Sequence, residues 1–328
     1  MGPLLLLGPQ RPAPNLVQAL DANEVRGPLV AITAGWRFDE VEIGPLQRHV
    51  QRPFVHLPLY AWFEEVMASD AALARVYHER QERIRGYKEL YQLRLSPILD
   101  AVDALIASPA RSGPLAEHAA SELEDALEDL RDLDARMLHH LQAIRRATPE
   151  LERAWELPSV RGRYEEVGAA LEKAGSVAVA GGHVGVLLNR MKLFGLGKLL
   201  PEFRARGGCI ASWSGGAMVL SERIVLYYDD PPDGQGEAQP MDYGLGLIRG
   251  MVVFPHARRR LRLSDDLRLQ ALVSRFYPDT CVGMENGAWL QQHKHEVWVD
   301  RSLPGTLLHL DRTPLPPPPS PVDDEVGA

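Results

Sequence analysis

The sequence predicts an α/β protein in which helices flank a parallel sheet, with a large all-α insertion. Continuous apolar runs at residues 29–34, 54–58 and 176–180 carry the sheet prediction. Strands buried on both faces are apolar throughout, and helical segments between such strands favour parallel pairing. A long, charged stretch without strand signals lies between the second and third runs. We therefore expect a sheet domain that a set of helices interrupts.

The other elements are predicted from apolar runs and from the Gly and Pro residues that end them. Further strands are expected at residues 3–7, 209–211, 224–228, 281–288 and 296–300, and in the apolar segment that ends at Pro255. Helices are expected at residues 15–22, 71–95, 123–144, 186–194 and 265–276. Residues 230–240 are polar and rich in Gly and Pro, which predicts a surface loop.

The insertion is predicted from helical periodicity. Between Leu123 and Ile144, apolar residues recur at intervals of three and four, and Asp134 breaks the stripe. This spacing places the apolar side chains on one face of a helix, which we expect to pair antiparallel with the helix at 71–95. The predicted division is an α/β domain at residues 1–58 and 168–312, the insertion at 59–167, and a disordered Pro-rich tail at 313–328.

Composition narrows the classes of partner. The 328 residues carry a net charge of −8 with a pI near 5.8, which does not favour nucleic acid. No apolar run approaches the roughly 20 residues of a membrane helix, so no membrane contact is expected. Two cysteines are too few for a disulfide framework, which favours a cytoplasmic protein. No metal is expected, because histidines on charged helices are usually solvated, and His118, His139 and His140 lie on such predicted helices. No other cofactor is expected either.

A candidate nucleophile, Ser214, lies between a short apolar run and a segment that can begin a helix. A strand, a sharp turn and a helix in this order form a nucleophile elbow, and two glycines after the serine suit the turn. The helix N-terminus would direct free N–H groups at an oxyanion beside the serine. Ser212 holds the first position of Gly-x-Ser-x-Gly, so that pattern is incomplete. A Gly-rich turn with an incidental serine is the alternative interpretation.

A candidate base, His256, follows Pro255 where an apolar strand ends. A serine nucleophile needs a base within hydrogen-bonding reach, and open α/β sheets place their sites at strand ends. A half-buried structural histidine is the alternative. The pair Gly181-Gly182 ends another strand but fits neither the dinucleotide-binding nor the P-loop pattern. We expect the Gly182 N–H to point into the same cleft as Ser214.

Five short motifs occur in an order that resembles the S51 serine peptidases, the group that includes aspartyl dipeptidase E and cyanophycinase. They are the two glycines at a strand end, the serine elbow, Gly-Leu-Gly-Leu at 244–247, Pro-His followed by spaced arginines, and Gly-x-x-Glu-Asn-x-Ala at 283–288. The resemblance covers residues 175–300 well and 3–57 loosely, but not the insertion. It implies the class I glutamine-amidotransferase-like fold, a flavodoxin-like three-layer arrangement, and hydrolysis of peptide or isopeptide bonds.

The resemblance also implies a role for each matching residue. Ser214 would be the nucleophile and His256 the base. The cyanophycinase branch points to Glu285 as the third member of the triad, whereas the dipeptidase branch points to Asp229. We favour Glu285, because the motif around it matches and the loop around Asp229 does not.

Other matching positions imply binding roles. The backbones of Gly182 and Gly215 would form the oxyanion hole. Arg260 and Arg262 would form a positive rim that attracts an acidic group of a small peptide substrate, although surface packing explains them equally well. Five positions depart from the family pattern, namely Trp213, Gly215, Ala257 and the pair His183-Val184. Of these we expect His183 and Trp213 to contact substrate. Substrate preference is therefore not transferred from relatives.

Two other functions stay open beside the hydrolase. The first is an inactive scaffold that uses the insertion to dock a partner or to form a homodimer. The second is a glutamine amidotransferase, whose chemistry needs a cysteine at the elbow, whereas Cys209 lies five residues before Ser214. The hydrolase is the favoured interpretation.

Overall fold

The computed structural model of the protein describes residues 1–228, 236–292 and 297–311. Within these ranges the strands are β1 (Leu4–Leu7), β2 (Leu29–Ile32), β3 (Phe54–Leu57), β4 (Ser176–Val179), β5 (Cys209–Trp213), β6 (Arg223–Tyr228), β7 (Gly236–Tyr243), β8 (Met251–Pro255), β9 (Thr280–Met284), β10 (Trp289–Gln292), β11 (Trp298–Asp300) and β12 (Leu307–His309). The helices are α1 (Leu16–Ala22), α2 (Gly44–Val50), α3 (Leu59–Ser69), α4 (Ala71–Ile106), α5 (Ala116–Arg146), α6 (Pro149–Glu152), α7 (Pro158–Lys173), α8 (Val184–Leu193), α9 (Leu196–Ala205), α10 (Gly215–Leu220), α11 (Ala257–Arg260) and α12 (Asp266–Phe276).

A mostly parallel sheet forms the centre of the molecule. Within the described ranges its order is β11-β10-β1-β5-β4-β2-β3. The strands from β1 to β3 in this order are parallel, while β10 and β11 extend the sheet by antiparallel pairing. The residues of β1, β2, β4 and β5 are all buried, as expected for strands covered on both faces. The predicted α/β class with a parallel sheet is confirmed.

Each face of the sheet has its own core, because successive side chains of a strand point to opposite faces. Leu5 and Leu7 of β1 pack in one core with Leu16 and Leu20 of α1. Leu4 and Leu6 pack in the other core, together with residues of α3, α7 and α8. The helices therefore lie on both sides, in three layers.

The strands that lead to His256 and Glu285 belong to a second, smaller sheet. Its order is β12-β9-β8, with β8 and β9 parallel and β12 antiparallel to β9. A separate hairpin pairs β6 with β7. The predicted loop at 230–240 needs a correction, since residues 236–240 form part of β7 by pairing with β6. The rest of that loop, up to residue 235, lies outside the described residues, as does the predicted tail at 313–328.

The insertion is built on the long helices α4 and α5, which pack against each other. Helix α4 continues through Pro97 to Ile106, well beyond the predicted end at 95. Helices α3 and α7 pack in the core on the sheet, and the predicted boundary at 167/168 lies inside α7. Among the helices of the described ranges, none combines the length and the apolar character needed to cross a bilayer.

Asp134, the residue that breaks the apolar stripe, belongs to a buried ion pair. Asp134 is 3% exposed and receives two hydrogen bonds from the Arg275 guanidinium of α12, at 2.7 and 2.9 Å. The hydroxyl of Tyr91, on α4, donates to the same carboxylate at 2.6 Å. Planar guanidinium and carboxylate groups bind each other in this bidentate way. The pair therefore connects both long helices of the insertion to α12.

Replacing Asp134 with Ala is expected to lower the free energy of unfolding by about 3–5 kcal/mol, because it leaves the Arg275 charge buried without its partner. Urea denaturation measures the change. The control is Glu124→Ala on the same helix, which removes a carboxylate from a solvent-exposed ion pair with Arg131. This control should lower the free energy of unfolding by about 1 kcal/mol or less. Equal destabilisation by the two variants would contradict the structural role of the buried pair.

Candidate active site

Ser214 occupies the sharp turn between β5 and α10. Its backbone angles, φ 51° and ψ −127°, lie in a region that residues with a side chain rarely adopt. Such a conformation costs about 1–3 kcal/mol and persists only where the surrounding structure holds it. Gly181 allows the turn to pack closely, since a Cβ atom at that position would lie 2.7 Å from the Cβ atom of Ser214. The serine is half-buried at the apex of a strand–turn–helix unit.

Two backbone N–H groups lie beside this turn. Gly215 begins α10, so its N–H has no acceptor within the helix. The Gly182 N–H makes no hydrogen bond within the described residues, whereas the next N–H, that of His183, donates to the Gly35 carbonyl at 2.7 Å. A Cβ atom on Gly215 would lie 3.3 Å from the Gly182 nitrogen, so the two backbones are packed together. Two unused donors are thus adjacent at the serine turn.

His256 follows β8 and lines the same cleft as Ser214. Its backbone is left-handed, with φ 61° and ψ 37°, and its N–H donates to the Met284 carbonyl at 3.0 Å. This bond holds the end of β8 against the end of β9, which Glu285 follows. Within the described ranges, no hydrogen bond joins the His256 ring to Ser214 or to Glu285. Catalytic hydrogen bonds are often long before substrate binds.

Nearby charges of opposite sign act on the pKa of His256 in opposite directions. Burial is the main cause that lowers its pKa below the ordinary 6.5, and the positive charges of Arg260 and Arg259 lower it further. The Glu285 carboxylate raises the pKa and so opposes them. Glu285 also accepts a hydrogen bond from the Arg258 N–H at 2.8 Å, near the start of α11. The net lowering leaves the imidazole neutral at pH 7, the form that accepts a proton.

A cleft of about 730 Å³ lies over these residues. Four predicted site residues line it, namely Gly182, Trp213, Ser214 and His256. The other walls come from the segments after β1 and β2 and from α2, which sequence reasoning missed; they include Gln10, Arg11, Trp36, Asp39, Glu42 and His49. The loops after parallel strands meet at one edge of a sheet. The positions after β1 and β2 were therefore the signal that could have indicated these walls.

Three residues predicted to bind substrate do not line the cleft. His183 is the N-cap of α8, where its Nδ1 accepts a hydrogen bond from the Val186 N–H at 3.2 Å. Arg260 lies over the ring of Tyr227, with 5.9 Å between its Cζ and the ring centroid. Arg262 is exposed on the segment after α11. A role for these three in binding stays a prediction.

Two further candidates gain no support from the described residues. Asp229, the alternative acid, lies outside the described residues. Cys209 is buried in β5, where burial raises its pKa to about 12. Because the thiolate is the nucleophilic form of cysteine, this position does not support an amidotransferase. In the part of the chain that the structure describes, no group of three or more His, Cys, Asp or Glu residues could hold a metal ion.

Residues 141–299 match the model of peptidase family S51. The resemblance predicted from the sequence is confirmed. The S51 match includes the serine turn, His256 and Glu285, and it supports a peptidase function. The matched range does not extend over most of the insertion or over any of the N-terminal strands.

Two solved structures are similar to this chain at low identity, and no curated protein matches it. One is a crystal structure of a peptidase from an acI-B1 actinobacterium, with 15% identity, a TM-score of 0.47 and 94% of each chain covered. The other is a Listeria monocytogenes EGD-e protein assigned as a peptidase E, with 13% identity and a TM-score of 0.45. That match covers 92% of this chain and 99% of the other.

A Gly181→Ala variant is expected to lose about 1–3 kcal/mol of unfolding free energy, because the added methyl group would overlap the serine turn. Besides the Ser214 Cβ atom, it would meet the Gly215 nitrogen at 2.9 Å. Gly168→Ala, inside α7, is the matched control, since nothing lies within 4 Å of a Cβ atom there. This control should stabilise the helix by about 0.5–1 kcal/mol. Urea denaturation compares the two, and an unchanged stability of Gly181→Ala would argue against the close packing.

Proposed function

We propose that this protein is a serine peptidase that cleaves a peptide or isopeptide bond through an acyl-enzyme on Ser214. The observation that carries the proposal is the shared cleft: a serine on a strained strand-to-helix turn and a half-buried, neutral histidine line the same cavity. A hydroxyl becomes nucleophilic when an adjacent base removes its proton. The S51 match supports the coarser statement that the protein is a peptidase.

In the proposed reaction His256 takes the Ser214 hydroxyl proton while the serine oxygen attacks the scissile carbonyl carbon. The N–H groups of Gly182 and Gly215 donate to the oxyanion, and each such donor contributes roughly 10²–10³-fold in rate. The protonated imidazole then gives its proton to the leaving amine as the C–N bond breaks. Water, deprotonated by His256, hydrolyses the acyl-enzyme and restores the serine.

Glu285 is the proposed third member of the catalytic triad, and it acts on His256 through its position and its charge. Its carboxylate accepts from the Arg258 N–H, and so holds the turn that follows His256. Its negative charge favours the imidazolium that forms during attack, against the opposing charges of Arg260 and Arg259. These two effects support Glu285 over Asp229 as the acid of the triad.

The proposed substrate is a small peptide, as for a dipeptidase or a cyanophycinase-like enzyme. Preference for an acidic group rests on Arg260 and Arg262, which lie outside the cleft lining. The charged residues that do line the cleft are Arg11, Asp39 and Glu42. Two carboxylates against one arginine favour a substrate with a free amino group. A cytoplasmic location is proposed from the two free, buried cysteines.

Ser214→Ala is expected to abolish fluorophosphonate labelling and to lower kcat by about 10³-fold or more, because the acyl-enzyme cannot form. Hydrolysis is measured on Asp-containing dipeptides, β-linked Asp peptides and dipeptides with basic side chains. Ser212→Ala is the matched control, since that serine is buried in β5 and its hydroxyl has no hydrogen-bond partner within the described residues. Full activity in Ser214→Ala would refute the proposal and favour a non-catalytic scaffold.

The pH profile tests His256 as the base. Protonation of the base removes activity, so kcat/KM should fall on the acidic side with an apparent pKa below 6.5. Removing a positive charge in Arg260→Gln should move this limb to higher pH, because the imidazolium then meets less repulsion. Removing the negative charge in Glu285→Gln should move it to lower pH. Shifts in the same direction, or an acidic limb independent of both residues, would exclude His256 as the titrating group.

A further inference from the structure

A second cavity, separate from the serine cleft, lies where the insertion meets the sheet domain. Its volume is about 230 Å³, and its walls come from α4, α5, α6, α8, α9 and the segment that follows β7. No residue that lines the serine cleft also lines this cavity. Nothing in the proposed serine chemistry uses it.

The wall of this cavity is mainly cationic. Of its charged lining residues within the described ranges, one is an acid, Glu152, and the others are cations: Arg80, Arg145, Lys192 and Lys198. A second carboxylate, that of Asp242, pairs with Arg145, and both side chains are buried. Four cations and two carboxylates leave an excess of two positive charges. Of these groups Arg80, Arg145 and Asp242 are buried, whereas Glu152 and Lys198 are exposed. Excess charge of one sign at a poorly solvated site is destabilising unless a counter-ion accompanies it.

Two of the cations keep a donor without a partner. Arg145 is 7% exposed; its Nε and Nη2 donate to Asp242, and its Nη1 is buried with no partner in the described part of the chain. Arg80 is 5% exposed; its Nη1 donates to Glu152 at 3.1 Å, and its Nε is buried and equally unpartnered. Buried donors in folded proteins are nearly always paired. Both arginines line the cavity, so their side chains bring this unmet hydrogen-bonding capacity to its wall.

The lowered pKa of Lys192 reflects the same excess of positive charge. Its ammonium donates to the Tyr243 carbonyl at 2.9 Å. Burial first, and then repulsion by Arg145, lower its pKa to about 8. Burial and the same arginine lower the pKa of Arg80 to about 10. The cations therefore repel each other in a site that water solvates poorly, which a bound anion would relieve.

We propose that this cavity binds a small phosphate-type oxyanion, either free or as the phosphate group of a small metabolite. Guanidinium groups match the geometry of phosphate oxygens, and an ammonium adds a point charge. A phosphate group carries a charge of about −1.5 to −2 at pH 7, which balances the excess of two. Trp155, which also lines the cavity, provides an apolar surface beside the phosphate for a small organic part.

The test titrates inorganic phosphate into the full-length protein, purified without phosphate, at constant ionic strength and with calorimetric detection. Saturable binding at one site is expected, with competition by sulfate but not by acetate. Arg80→Met and Lys192→Met should each weaken phosphate binding by about tenfold or more, because each removes a charge-assisted hydrogen bond. Lys173→Met removes an exposed cation at the end of α7, outside the cavity, and should leave the affinity unchanged.

The proposal is overturned if millimolar phosphate shows no saturable binding, if acetate competes as well as sulfate, or if both cavity variants keep the wild-type affinity. Circular dichroism establishes that each variant is folded. If the buried substitutions prevent folding, Lys198→Met tests the site instead. This lysine is exposed at the cavity wall, so its replacement should leave the fold intact. It should weaken phosphate binding several-fold, and an unchanged affinity would count against the site. A phosphate ester that binds more tightly than free phosphate would identify a metabolite as the natural ligand.

Discussion

The close contact between Gly181 and Ser214 is the constraint on which the site depends. Strands β4 and β5 are neighbours in the sheet, so the turns that follow them are pressed together. Absence of a side chain at Gly181 gives the serine room for its strained backbone. The same packing brings the Gly182 and Gly215 backbones together. The elbow is thus shaped by two adjacent strand ends more than by the preferences of the serine itself.

The insertion is connected through α12 to the smaller sheet, which carries His256. Asp134 of α5 and Tyr91 of α4 both bind Arg275, at the end of the helix that leads into β9. β9 in turn holds the end of β8 through the bond from His256 to Met284. A continuous set of contacts therefore joins the long helices to the sheet that presents the histidine. The cationic cavity lies at the same junction and adds a charge imbalance to it.

Local sequence patterns indicated some tertiary contacts as well as helices and strands. The interruption of an apolar stripe at Asp134 marked the place where a buried arginine binds, although its partner lies 141 residues away in sequence. The strand at residues 236–240 was not foreseen, because its Gly and Pro content resembles a loop and antiparallel pairing with β6 overrides it. The full length of α4 was also not foreseen, since Pro97 normally ends a helix and tertiary packing here maintains it.

The sequence by itself determined the class of fold, the serine turn and the resemblance to S51 peptidases, because these depend on short-range periodicity and on glycines at fixed positions. The tertiary structure alone decided which residues share a space. It placed His256 in the serine cleft and left Arg260 and Arg262 outside the cleft lining. It also gathered four cations from α4, α5, α8 and α9 around one cavity. Such neighbourhoods arise from the packing of segments distant in sequence, and a local pattern does not name the partners that packing brings together.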